Sequence, residues 1–153
     1  MELSIQKLSK NAVLPRYATP GSAGLDLCAC LDAPLRLEKV VTGSAQGSWN
    51  CAKVPTGLAM AIPEGYVGLL FARSGLATKH GLSPANCVGV IDSDYRGEIV
   101  VALVNLGPED YVIQPGERIA QLVIVPCAQP VLMETDALPE TQRGTGGFGS
   151  TGR

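Results

Sequence analysis

Apolar positions in this chain come in short runs, of a length that strands bury and long helices cannot use. After Pro15, no run longer than nine residues is free of both glycine and proline. Both residues punctuate helices, so the pattern excludes long helices and favours many short strands. It predicts strands at residues 2–8, 25–31, 35–41, 57–62, 66–72, 87–91, 98–105 and 118–125. Shorter strands are expected at 111–113 and 131–133. Turn signals at 19–21, 63–65, 107–110 and 115–116 separate them. Only residues 74–79 have room for a helical turn. The spacing suggests an all-β fold, an antiparallel jelly-roll-like β-sandwich. Residues 42–53 break the pattern as a polar, Gly/Ser-rich hairpin excursion, whose Trp49 is expected to anchor the loop.

Length and charge narrow the classes. At 153 residues the chain is one domain with room for a real core. A net charge of −2 and a pI near 5.3 argue against nucleic-acid or membrane-surface partners. Any bound anion must then meet a local cluster of positive groups. No stretch approaches a transmembrane span and MELSIQKLSK lacks a signal-peptide pattern, so an intracellular, cytoplasmic protein is expected. Five cysteines (Cys28, Cys30, Cys51, Cys87 and Cys127) form no C-x-x-C pair and are expected to be buried, reduced thiols. On a strand, Cys28 and Cys30 would share one face. His80 is the only histidine, and no His/Cys zinc spacing is present. A metal would be a hard cation held by carboxylates, water and substrate oxygens.

The segment RGTGGFGSTGR carries four glycines within residues 144–149. It matches G-x-G-x-x-G, but that dinucleotide pattern needs a strand before it and a helix after it. With four residues after Gly149, no helix is expected, and the reading fails. Two readings stay open. One is a disordered terminus. The other is a mobile lid over an anion, with Arg143, Ser150, Thr151 and backbone N–H groups as donors and Phe148 as a stacking plate.

Polar residues that interrupt apolar strands carry further signal. In residues 84–106, PANCVGVIDSDYRGEIVVALVNL, two apolar runs flank a hairpin tip at 92–97. Asp92, Asp94 and Gly97 fit a calcium-loop spacing, but Arg96 and Leu103 stand where oxygen ligands are required. Asp92 is therefore either a turn aspartate or a water-activating general base. In FARSGL, a strand ends abruptly in Arg73-Ser74-Gly75, which presents a guanidinium, a hydroxyl and N–H groups suited to phosphate. PGSAGLDL places Asp26 in a strand after a tight turn. GERIAQLV places Gln121 among apolar neighbours, either as a satisfied core amide or as a ligand contact.

Five segments in order resemble the trimeric dUTP pyrophosphatases (dUTPases) over nearly the whole chain. They are AGLDL (23–27), ARSG (72–75), GVIDSDYRGEI (89–99), GERIAQLV (116–123) and RGTGGFGSTG (143–152). Two features depart from that family: residues 42–53 are longer than its usual simple hairpin, and Leu25 stands where it often has an aromatic.

The resemblance implies hydrolysis of dUTP to dUMP and pyrophosphate, with Mg2+ across the triphosphate. Asp92 matches the base that activates water for attack on the α-phosphorus. Arg73, Ser74, Gly75 and Gln121 match phosphate contacts, and Asp26 matches a residue that meets the metal through bound water. Asn86 and the backbone of 86–92 match groups that pair with uracil. Tyr95 matches the ring that packs under deoxyribose and excludes a 2′-OH. The tail matches a lid, with Phe148 on uracil and Arg143, Gly149, Ser150 and Thr151 at the β/γ-phosphates. Residues 1–142 would form the β domain and 143–153 its flexible lid. The implied assembly is a homotrimer in which each site draws phosphate segments, hairpin and tail from three different subunits. A dCTP deaminase would share the fold, but the Asp-x-x-Tyr hairpin and Phe-bearing tail favour a dUTPase. A non-catalytic dUTPase-like regulator or a capsid-type jelly roll would not need Asp92, Arg73 and the tail intact.

Overall fold

The computed structural model describes residues 1–40 and 50–147. Twelve strands and one short helix follow in order among these residues: β1 (Ser4–Lys7), β2 (Arg16–Tyr17), β3 (Leu25–Cys28), β4 (Leu35–Leu37), β5 (Cys51–Pro55), β6 (Leu58–Ala61), β7 (Tyr66–Ala72), α1 (Ser74–His80), β8 (Leu82–Pro84), β9 (Gly89–Ile91), β10 (Val100–Asn105), β11 (Tyr111–Ile113) and β12 (Arg118–Pro126). All pairings are antiparallel. The largest sheet has the order β2-β3-β12-β7-β9; β5-β10-β8, β1-β6 and β11-β4 complete the all-β, jelly-roll-like sandwich.

Alternation places the core. Leu25, Leu27 and Ala29 are buried, while Asp26, Cys28 and Cys30 take the other, half-buried face. Leu27, Leu58, Leu103, Ile113 and Leu122 are at most 1% exposed and belong to one apolar cluster. Strand β12 feeds that cluster with Ile119, Ala120 and Leu122, between β3 and β7. Its start is set by the turn Gln114-Pro-Gly-Glu117, where Glu117 N–H donates to Gln114 O at 3.1 Å. Gly116 has φ +75°, which a type II turn requires and a Cβ resists.

Several expected boundaries shift, each for a physical reason. Strands β5 and β8 do not emerge from the apolar pattern, because Pro55 and Pro84 read as breaks. Both strands lie at the edges of their sheet, where a missing N–H costs no ladder bond. The strand expected at 87–91 begins only at Gly89: Cys87 takes φ +62° and Val88 N–H donates to Asn86 O at 2.6 Å, which turns the chain. The expected turn at 74–79 is a seven-residue helix that ends on Gly81. Residues 131–133 form no strand. Val131, Leu132 and Met133 are 86–91% exposed and pair with no strand among the described residues. Trp49 lies outside the described residues. All five cysteines are free, but none is fully buried as expected: Cys28, Cys30 and Cys51 are half-buried, and Cys87 and Cys127 are exposed. Among the described residues, no helix is long and apolar enough to cross a membrane.

The Tyr111 phenol donates to Glu117 Oε1 at 2.6 Å, and its ring centroid lies 4.8 Å from that of His80. Burial, then the Glu117 carboxylate, push its pKa up to about 12. The folded state favours the neutral phenol, so this contribution to stability is intact below about pH 10 and is lost as pH rises through about 12. Alkaline absorbance titration should therefore show one late phenolate that Tyr111→Phe removes. A late phenolate that persists in that variant would contradict the assignment.

Candidate active site

Phe71 and Leu70 are neighbours on β7, yet each lines a different cleft. The Leu70 cleft wraps the edge strand β9, all three of whose residues line it, whereas the Phe71 cleft gathers on β3, β12 and the end of β7. No residue lines both.

The first cleft, about 340 Å³, is built where β7 runs out. Asp26, Arg73, Ser74, Gly75, Arg118 and Gln121 line it. Arg73 is extended and caps α1, leaving the first helical N–H groups, Ser74 and Gly75 among them, without intrahelical partners. Its side chain turns back onto β3, with Nε donating to Asp26 Oδ1 at 3.0 Å. Arg118, at the start of β12, donates from Nη1 to Asp26 Oδ2, also at 3.0 Å. Arg73 Nη1 ties the two together by donating to Arg118 O at 3.1 Å. Two guanidiniums against one carboxylate leave the cleft net positive and pre-aimed at an anion. Gln121 donates from Nε2 to Ala72 O at 2.9 Å, so its amide is fixed beside the same strand end. Cys28 shares this face. Burial and then Asp26 push its thiol pKa up, outweighing the lowering by Arg118, Arg16 and Arg73, which keeps the sulfur protonated and unreactive.

The second cleft, about 270 Å³, is lined by Asn86, Asp92, Tyr95 and Glu98 among others. Asp92 stands exposed one residue past the end of β9, and Tyr95 N–H closes the turn onto its carbonyl at 3.2 Å. Arg96 Nη1 donates to Ser93 O at 2.6 Å and to Tyr95 O at 2.9 Å, pinning the tip. The Tyr95 hydroxyl donates to Glu98 O at 3.0 Å. Its ring folds over Gly97, where a Cβ would meet the Tyr95 hydroxyl and ring, so a side chain at that position would displace the ring.

Of the residues expected to act together, Asp26, Arg73, Ser74, Gly75 and Gln121 converge in one cleft; Asn86, Asp92 and Tyr95 converge in the other. Arg143 lines neither and donates from Nε to Gly146 O at 2.8 Å. Phe148, Gly149, Ser150 and Thr151 lie outside the described residues. Among the described residues, no three His, Cys, Asp or Glu side chains converge as a metal cage. Asp26 presents both oxygens to arginines, which fits a metal-bound water but not a direct bond to the ion.

Residues 10–152 match the family model described as dUTPase. The chain belongs to the dUTPase family. A deoxyuridine 5′-triphosphate nucleotidohydrolase of Ralstonia nicotianae is 50% identical, covering 100% of this chain and 99% of the relative. One of Desulfitobacterium hafniense is also 50% identical, over 99% and 95%. Among solved structures, the Staphylococcus bacteriophage 80alpha dUTPase with dUPNHPP has a TM-score of 0.84 at 31% identity, covering 99% of each chain. A variant dUTPase from phage phi11 of S. aureus, described with a structural Mg(II) ion, has a TM-score of 0.77 at 28% identity, over 90% and 98%. This dUTPase is thus an enzyme, a dUTP diphosphatase of nucleotide metabolism. Sequence reasoning passed over two side chains that line its clefts, Arg118 and Glu98. Both lie inside quoted motifs, and a charged residue beside Gln121 or at a hairpin base was the available signal.

Proposed function

We propose that this dUTPase joins its two clefts across subunits of a homotrimer, with Asp92 as the base and Asp26, Arg73, Ser74, Gly75, Arg118 and Gln121 as the phosphate cradle. The supporting observation is the separation itself: the base lies at the hairpin that follows edge strand β9, the cradle lies across β3, β12 and the end of β7, and their clefts share no lining residue. A second copy brings base and cradle together without deforming either cleft.

In this reading Asp92 takes a proton from water as its oxygen attacks the α-phosphorus. The bond to pyrophosphate breaks, and charge moves onto oxygens that face Arg73, Arg118 and the N–H groups at the start of α1. Mg2+ would neutralise phosphoryl charge, carried mainly by the triphosphate and met by Asp26 through water. Asn86 reads the uracil edge, and Tyr95 stands against a 2′-OH. Residues 143–153 act as the lid over the assembled site, Arg143, Gly149, Ser150 and Thr151 at the phosphates and Phe148 on the base.

Pyrophosphate release from dUTP, dTTP, dCTP and UTP with Mg2+ tests the specificity. The expected result is turnover of dUTP alone, with dCTP disfavoured by roughly 10⁴-fold through unpaired polar groups. Ammonia release from dCTP, or comparable rates on UTP, would overturn it.

A further inference from the structure

The base of the hairpin carries an ionisable group that the reaction does not consume. Glu98 is half-buried, lines the same cleft as Asp92 and Tyr95, and accepts Gly57 N–H on Oε1 at 2.7 Å. We infer that Glu98 is a specificity-positioning residue: by clamping the hairpin to the turn between β5 and β6, it fixes the Tyr95 ring against the sugar. The inference rests on the proposed role of Tyr95.

The connectivity is direct. Tyr95 OH donates to the carbonyl of residue 98 itself, at 3.0 Å, so the ring is only as steady as that peptide. On its far side the chain is laced to residues 56–58: Thr56 Oγ1 donates to Ile99 O at 2.6 Å, and Ile99 N–H donates to Leu58 O at 2.8 Å. Ile99 N–H belongs to the same peptide unit as the carbonyl that takes the Tyr95 hydroxyl, so its bond to Leu58 O steadies that carbonyl, and the Glu98–Gly57 bond braces the turn that supplies Leu58. The other arm of the hairpin is tied through β9 to β7, and the tip keeps its shape through the Arg96 contacts and the Tyr95 N–H bond to Asp92 O. Removing the carboxylate would leave Gly57 N–H without its acceptor and loosen the 56–58 turn on which the Glu98–Ile99 peptide, and with it the Tyr95 ring, rests. Discrimination by a steric wall needs that wall fixed, since a misplacement of about 1 Å changes rates by up to ~10²-fold. The acceptor oxygen is what matters, so glutamine suffices.

The test compares kcat/KM for UTP and dUTP in wild type, Glu98→Ala, Glu98→Asp, Glu98→Gln and Tyr95→Ala. Expected results are a UTP/dUTP ratio raised about tenfold in Glu98→Ala, within that range, and by less in Glu98→Asp, whose shorter side chain reaches poorly. Glu98→Gln should keep the wild-type ratio. Amide exchange at Gly57 should be fast in the Ala variant and slow in the Gln variant, and it remains readable if turnover is low. A raised ratio in Tyr95→Ala with none in Glu98→Ala would overturn the clamp. A shift in Glu98→Gln equal to that in Glu98→Ala would also overturn it, assigning the effect to charge. An unchanged ratio in Tyr95→Ala would instead remove the reading of Tyr95 on which the clamp depends.

Discussion

Asp92→Asn should leave assembly and dUTP binding intact and reduce turnover at least ~10²-fold, the low end for a positioned general base. The amide has nearly the carboxylate's shape, and among the described residues no side chain bonds to that carboxylate in the fold. Asp92 stands exposed at a strand end. Fold and stability therefore have little to lose. Single-turnover pyrophosphate release with dUTP in excess of its Kd isolates the chemical step. A near-normal rate would exclude Asp92 as the base and return it to the role of a turn aspartate.

The second large effect belongs to pairs of variants. Asp92→Asn and a chain truncated after Gln142 should each be nearly inactive as pure proteins, the second because phosphate alignment under a closed lid is lost. Refolded together, they should recover activity. If each site takes one hairpin and one tail from different chains, random assortment at equal amounts gives both intact parts to about a quarter of sites. If both parts came from one chain, no mixture could recover. Native mass spectrometry identifies mixed trimers, and pyrophosphate release measures the recovery. Verified mixed trimers with no gain over the separate variants would sink the shared-site proposal.

Legibility from sequence followed the range of the interactions. Local signals succeeded: Pro115-Gly116 set the start of β12, and the glycines and prolines announced short strands. Signals that depend on a partner strand did not. Pro55 and Pro84 look like breaks until β10 lies between them, and residues 131–133 look like a strand until no edge receives them. The clefts divided in the same way. Asp92 and Arg73 were visible because polar groups end apolar runs. Arg118 was not, since its meaning comes from Asp26, which is 92 positions away in sequence and 3.0 Å away in space. Asp26 itself read as metal-facing; what it touches in the fold is two guanidiniums.

The arm that leaves β12 bears on how this protein survives its own synthesis. Residues 126–145 are exposed throughout, with Leu138 at 82% and Val131, Leu132 and Met133 more exposed still. A newly made chain thus meets the crowd of other nascent proteins with an adhesive strip uncovered, the kind of surface that chaperones and proteases recognise. In the proposed trimer, cover by sister copies would be a concentration-dependent event, slowest when the first few molecules appear. Abundance then matters twice, once for the number of chains and again for the fraction that escapes triage. A slight fall in expression would remove more active enzyme than the fall in chain number alone.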